Sequence, residues 1–153
     1  MIDRVSEWKE FSSLLEERQV SKNDCRTDHI NMINALIKKY DKNDRDKYQI
    51  SYFVEIALHS MLAMEDWNKK FIGWKEFSKL VEEHIVKYTI PQYGDSSDDR
   101  VSAENAMYCI KAIEKYIKRY GKNMRGDEEQ VRDFLKIAHY AALAWGRWNE
   151  GNK

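Results

Sequence analysis

Apolar residues recur along the chain at intervals of three and four, the spacing that places them on one face of an α-helix. The first such stripe consists of Trp8, Phe11, Leu14 and Leu15. Equivalent stripes follow in five further segments, which include Ile30, Ile33, Leu36, Ile37 and Tyr40, then Phe53, Ile56, Ala57, Ser60 and Met64, and Ile110, Ile113, Tyr116, Ile117 and Tyr120. The pattern predicts an all-α protein of about six helices.

Three blocks of the sequence occur twice in the same order, with eight of eleven, five of eight and eight of twenty positions identical. The matched blocks are 8–18 with 74–84, 38–45 with 118–125, and 49–68 with 130–149. The pattern predicts a tandem duplication of a three-helix unit, with repeat one at 8–68 and repeat two at 74–149. Because the linker 67–73 is short, we expect a single helical domain over 1–153 with pseudo-two-fold symmetry.

The second repeat contains about fourteen residues that the first lacks, and we predict that they form an inserted loop at 87–100. This segment holds the only proline of the chain, Pro91, and several apolar side chains. Loops carry function more often than the elements they connect. Tyr88, Tyr93 and Asp95 are therefore candidates for binding a ligand or partner, although a tolerated surface excursion explains the insertion equally well.

Polar divergence between the repeats is concentrated in their third helices. Tyr52 corresponds to Asp133, Glu55 to Lys136 and Leu58 to His139, which turns an apolar position into a titratable one. We predict that Asp133, Lys136 and His139 are candidate catalytic residues, and that Lys136 also takes part in ligand binding. A solvated helix side with a weak Asp–Lys pair is the competing explanation. Small residues at 57, 60, 138 and 141 should let the third helices approach other helices closely.

The 26 basic and 26 acidic residues cancel, so a nucleic-acid partner is unlikely on electrostatic grounds. Two cysteines without a spacing motif favour a reducing cytoplasm over a disulfide scaffold. No apolar run approaches the length of a membrane span. A basic run suits a phosphate group and makes Arg119 and Arg125 binding candidates, although a similar run in repeat one favours a solvated face.

The run Lys115-Tyr116-x-x-Arg119, followed by Asp133, Lys136 and Tyr140, resembles small phage-encoded helical proteins associated with nucleotide metabolism. The resemblance covers about a quarter of the chain. Ala112 stands where those proteins have an asparagine.

A more distant similarity is to the all-α nucleoside triphosphate pyrophosphohydrolases, which hold Mg²⁺ through a Glu-Glu-x-x-Glu motif and a later Glu-x-x-Asp. This similarity makes Glu82, Glu83, Glu129 and Asp133 candidate metal ligands. Val86 stands where the third glutamate belongs, and an aliphatic side chain cannot bind a metal.

These observations predict a small helical binding protein, of phage or mobile-element type, that recognises a protein partner or a phosphate-containing small molecule without a cofactor. The alternative is a Mg²⁺-dependent nucleoside triphosphate pyrophosphohydrolase. Whether the protein is an enzyme stays open, as does its oligomeric state, with a homodimer as one option. The arrangement of the carboxylates distinguishes the two functions, because shared metal coordination requires them to converge.

Overall fold

A computed structural model describes residues 3–16, 28–40, 48–95, 106–122 and 126–151. The helices are α1 (Arg4–Glu16), α2 (His29–Lys39), α3 (Tyr48–Asn68), α4 (Gly73–His84), the short α5 (Ile90–Tyr93), α6 (Ala106–Lys118) and α7 (Asp127–Gly151). These ranges contain no β-strand, so the prediction of an all-α protein with six principal helices is confirmed. No helix in the described ranges has the length and apolarity to cross a bilayer.

Short polar contacts mark where several helices begin and end. The Asp28 side chain accepts a hydrogen bond from the Asn31 backbone and caps α2. Glu65 Oε2 accepts backbone hydrogen bonds from Ile72 and Gly73, each 2.9 Å long, and so holds the start of α4. After α6 the chain turns at Gly121, whose φ of +73° favours glycine.

Helices α3 and α7 pack against each other through the small residues that the sequence singled out. Ala57, Ser60, Ala138 and Ala141 are all fully buried. The Ser60 hydroxyl donates a 2.5 Å hydrogen bond to the Phe134 carbonyl across this contact. Because these side chains are so short, the two helix backbones approach closely, and α2 and α6 then pack on the outer sides of α3 and α7.

Helices α1 and α4 make a reciprocal contact. The Trp8 indole donates to the Ser78 carbonyl and hydroxyl at 3.1 and 3.2 Å, and the Trp74 indole donates to the Ser12 carbonyl and hydroxyl at 3.2 and 3.0 Å. The two serine hydroxyls lie 2.6 Å apart between them. Since Trp8 matches Trp74 and Ser12 matches Ser78 in the sequence repeat, this exchange is what an approximate two-fold axis would produce. The duplication as an origin stays a prediction.

Two details of the sequence prediction are wrong. Leu14 was assigned to the buried stripe of α1 but is 41% exposed, because only Trp8, Phe11 and Leu15 reach the core. The predicted loop at 87–100 is helical as far as Tyr93: a π-helical turn (Ile85–Thr89) follows α4 directly and leads into α5. The Ile90 amide donates to the Ile85 carbonyl, five residues back. Residues 96–100 lie outside the described ranges.

We predict that Trp8→Phe and Trp74→Phe destabilise the fold by similar amounts, about 1–2 kcal/mol each, because each removes one indole N–H from the same serine network. The free energy of unfolding from urea titration measures this. In the double variant the two effects should not add, since the serine hydroxyls couple the pairs. A large loss for one tryptophan and none for the other would contradict the reciprocal contact.

Candidate functional site

A cavity of about 330 Å³ lies on the side of α7 that faces away from α3. Helix α7 contributes Glu129, Arg132, Lys136, His139, Tyr140 and Leu143 to its lining. The remaining wall is formed by Arg4 of α1, His84 of α4, Tyr88 and Thr89 of the π-helical turn, Gln92 and Tyr93 of α5, and Tyr108 and Tyr116 of α6. The cavity therefore belongs to the second half of the chain, with one residue supplied by α1.

The α7 residues of the cavity follow one helical face, because steps of three, four and seven residues return to the same side of an α-helix. Arg132, Lys136 and His139 are successive members of this face. Asp133, predicted beside Lys136, instead points into the interface with α6 and is completely buried. The helix that carries the predicted residues therefore has two faces, one that lines the cavity and one that packs against its neighbours.

A buried carboxylate sits among three cations at one end of the cavity. Glu129 lies 3.2 Å from Arg119 Nη2, 3.1 Å from Arg132 Nη1 and 3.8 Å from Lys136 Nζ. Arg119 Nε also lies 3.6 Å from Asp133 Oδ2 and so links both carboxylates to the turn that follows α6. Arg132 Nη2 also lies 3.6 Å from Oε2 of the exposed Glu128, so three cationic side chains face three carboxylates here, of which Glu129 and Asp133 are buried.

Two of the cationic side chains form cation–π contacts with tyrosine rings. The Arg132 guanidinium lies 5.3 Å from the centre of the Tyr88 ring, and Lys136 Nζ lies 5.4 Å from that of Tyr116. Such cation–π contacts orient long side chains that would otherwise sample many rotamers. The Tyr140 ring packs on Tyr116 with 6.0 Å between centres. Burial raises the pKa of both Tyr116 and Tyr140, so their hydroxyls stay protonated.

Two buried imidazoles, His84 and His139, also line the cavity. Burial, reinforced by the charges of Lys136 and Arg132, lowers the pKa of His84 to about 4. Burial, reinforced by Arg4 and His84, lowers the pKa of His139 to about 3. Both rings are therefore neutral at pH 7. Among the described residues, His84 Nδ1 and His139 Nε2 have no hydrogen-bond partner, which is costly for buried polar atoms unless a ligand or water completes them.

The N-terminus of α1 closes the far side of the cavity. Arg4 Nε donates to the Gly94 carbonyl at 2.9 Å, and the Arg4 backbone amide donates to the Asp95 carbonyl at 3.0 Å. Arg4 is only 3% exposed. These two hydrogen bonds hold the end of α5 against the first turn of α1.

The structure brings most of the predicted site residues together. Tyr88, Tyr93, Glu129, Lys136 and His139 line the cavity, and Arg119 and Asp133 lie directly behind Glu129. Asp95 contributes its backbone carbonyl to Arg4, and its exposed side chain is not part of the lining. Arg125 lies outside the described residues.

Sequence reasoning did not predict Arg4, His84, Tyr108 or Arg132 as site residues, although all four line the cavity. Arg4 precedes Trp8 and Phe11 by four and seven residues and therefore falls on the buried stripe of α1. A charged residue on an apolar stripe was the available signal, because such a residue needs a polar partner once it is buried.

The predicted carboxylates do not gather around one point. Glu82 forms an ion pair with Lys9 at 3.3 Å, and Glu83 lines a separate, open cleft. Glu129 and Asp133 are close together but already face Arg119. Within the described ranges, no three metal-binding side chains form a cluster. The Mg²⁺ site stays a prediction without a converging ligand set among these residues.

Comparison with family models, curated proteins and solved structures finds no match to this chain. The resemblance to phage-encoded helical proteins and the cytoplasmic location therefore stay predictions, and the chemistry of the cavity carries the functional argument alone.

All four histidines have pKa values lowered by burial, which predicts a stability that falls in acid. An unfolded histidine has a pKa of about 6.5, so below that pH the unfolded chain binds protons that the folded chain excludes. His139→Leu, which introduces the residue found at position 58, removes one such group. Between pH 6 and pH 4 the variant should lose stability more slowly, by about 1.4 kcal/mol per pH unit. Parallel curves in chemical denaturation across this range would show that His139 titrates normally.

Proposed function

We propose that this protein binds a compact small molecule carrying a phosphate group, in the cavity between α4, α6 and α7. The observation that carries the proposal is the Glu129 carboxylate held by Arg119, Arg132 and Lys136 at 3.1–3.8 Å. Glu129, an anionic side chain of the protein itself, already lies at the centre of these three cationic side chains. A phosphate from solution would meet side chains that are oriented and partly buried before it arrives.

Several features favour phosphate over other anions. A guanidinium presents paired N–H donors that match phosphate oxygens, and a nearby ammonium adds a compact charge. The side chains of Arg132 and Lys136 are about seven-tenths buried and pack against tyrosine rings. Electrostatic attraction is stronger in such surroundings than in bulk water. The cavity volume of about 330 Å³ lies at the lower end of small-molecule sites, which favours a compact ligand over a polymer.

Two earlier hypotheses receive less support from the described residues. Hydrolysis with Mg²⁺ requires carboxylates free to share a cation, whereas Glu129 faces three cationic side chains. A protein partner would use an exposed surface, whereas the divergent residues Lys136 and His139 face a concave site. Tyr88 and Tyr93, each about half exposed, are the residues that either kind of partner would meet first.

The direct test is titration with inorganic phosphate and pyrophosphate at constant ionic strength, followed by calorimetry and by thermal stabilisation. We expect saturable binding that raises the melting temperature. Arg132→Ala and Lys136→Ala should each weaken binding about 10- to 100-fold, because each removes a charge-assisted hydrogen bond. Lys111→Ala, an exposed lysine on α6 outside the cavity, is the matched control and should bind normally. Equal effects of all three variants would show that phosphate binds through non-specific charge attraction and not in the cavity.

Glu129→Gln should strengthen phosphate binding. The amide keeps the size of the side chain but removes the negative charge that competes for Arg132 and Lys136. We expect affinity for pyrophosphate to rise about tenfold, the scale of one altered charge contact. Unfolding in urea should show some loss of stability, since the three cations lose the carboxylate that they share and only Asp133 and the exposed Glu128 remain beside them. Weaker pyrophosphate binding by a folded Glu129→Gln variant would overturn the role of Glu129 as an internal competitor.

A further inference from the structure

Phe71 is the most exposed large apolar side chain among the described residues, at 81%. It lies on the turn between α3 and α4, where the Lys70 amide donates to the Glu65 carbonyl at 3.1 Å and the Glu65 carboxylate binds the next two amides. The ring also lies against Gly73, where a Cβ atom would be only 3.6 Å away. The turn thus presents the ring to solvent in a fixed position, which lowers the entropic cost of binding a partner.

Lysine side chains surround this ring. Lys69 and Lys70 precede Phe71 directly, Lys75 follows in the first turn of α4, and all three are exposed. The exposed acidic residues of the same stretch are Asp66 and Glu76. Phe71, Lys69 and Lys70, which we call the Phe71 knob, therefore combine an apolar tip with an excess of positive charge.

An open cleft of about 420 Å³ lies between the last turn of α4 and the first turns of α7. We call it the α4–α7 cleft. Its apolar wall consists of Leu80, Val131 and Leu135. Its charged lining residues are Glu83, Asp127, Glu128, Lys87 and Arg132. Carboxylates outnumber cations here, and all three carboxylates are exposed, so the cleft complements the Phe71 knob in both polarity and charge.

The knob and the cleft lie at opposite ends of α4, whose 12 residues span about 18 Å. Lys75, Lys79 and Glu83 are exposed and spaced by four residues, so one face of α4 is open to solvent between the two ends. A two-fold axis that places two such faces antiparallel brings each knob to the cleft of the other copy. Both contacts then form together and close the assembly at two chains.

We infer that two copies of this chain form a dimer in which Phe71 of each copy inserts into the α4–α7 cleft of the other. Lys69 and Lys70 then face Glu83 and Asp127 across the contact. A second copy is favoured over an unrelated partner because one chain carries both complementary surfaces. Dimer formation of this kind does not require phosphate, so its presence or absence leaves the proposed function unaffected.

Sedimentation velocity over a range of protein concentrations tests the dimer. We expect a reversible monomer–dimer equilibrium with a Kd on the order of 10 µM, typical of a small interface. Phe71→Ser should raise this Kd at least about 100-fold, because each dimer loses two buried phenyl rings. Met32→Ser, which removes an exposed apolar side chain from α2, is the matched control and should leave the Kd unchanged. A chain that stays monomeric at about 1 mM, or a Phe71→Ser variant that dimerises normally, would rule out this interface.

A charge exchange tests which surfaces meet. A chain with Lys69→Glu and Lys70→Glu should be monomeric, because carboxylates then face carboxylates. A chain with Glu83→Lys and Asp127→Lys should also be monomeric, because lysines then face lysines. An equimolar mixture should recover a dimer within about tenfold of the original affinity, since both contacts again pair opposite charges. Circular dichroism establishes that each variant is folded, and two folded variants that stay apart when mixed would contradict the inferred contact.

Discussion

The close contact of α3 with α7 is the constraint on which the rest of this fold depends. Side chains no larger than serine meet there, so the two longest helices lie near enough for a hydroxyl on one to reach a backbone carbonyl on the other. With one side of α7 committed to this contact, its opposite side must be covered by other elements. Helices α4 and α6 cover it incompletely, and the cavity is the space between them.

Much of the fold followed from local periodicity, because the residues that return every three or four positions do form the core. Periodicity does not show how much of an apolar stripe the neighbouring helices will cover. Leu14 belongs to the stripe of α1 by spacing, yet the neighbouring helices cover only the part that contains Trp8, Phe11 and Leu15. The segment after His84 was also misjudged, because Pro91 suggested a loop. Pro91 instead lies in the first turn of the short helix α5, which follows the π-helical turn directly.

Comparison of the two repeats singled out two residues that line the cavity, because Lys136 and His139 diverge from Glu55 and Leu58. Comparison alone did not reveal that Asp133 is a packing residue rather than a cavity residue. That distinction depends on Arg119, which lies in the turn after α6 and forms an ion pair with the buried carboxylate. Long-range ion pairs leave no trace in local spacing, and for the same reason Glu82 resembled a metal ligand although it pairs with Lys9 on the surface.

The π-helical turn at Ile85–Thr89 makes the cavity adjustable by insertion and deletion. One residue advances an α-helix by about 100°, so a single residue gained or lost in this turn would rotate the following segment, as far as Gly94, relative to α4. The rotated segment carries Tyr88 and Tyr93, and it ends at Gly94, where Arg4 fixes the chain. Changes of length here would alter the shape of one wall while α3, α6 and α7 keep their places. A change of length in this turn would therefore reshape the cavity without any change in the core.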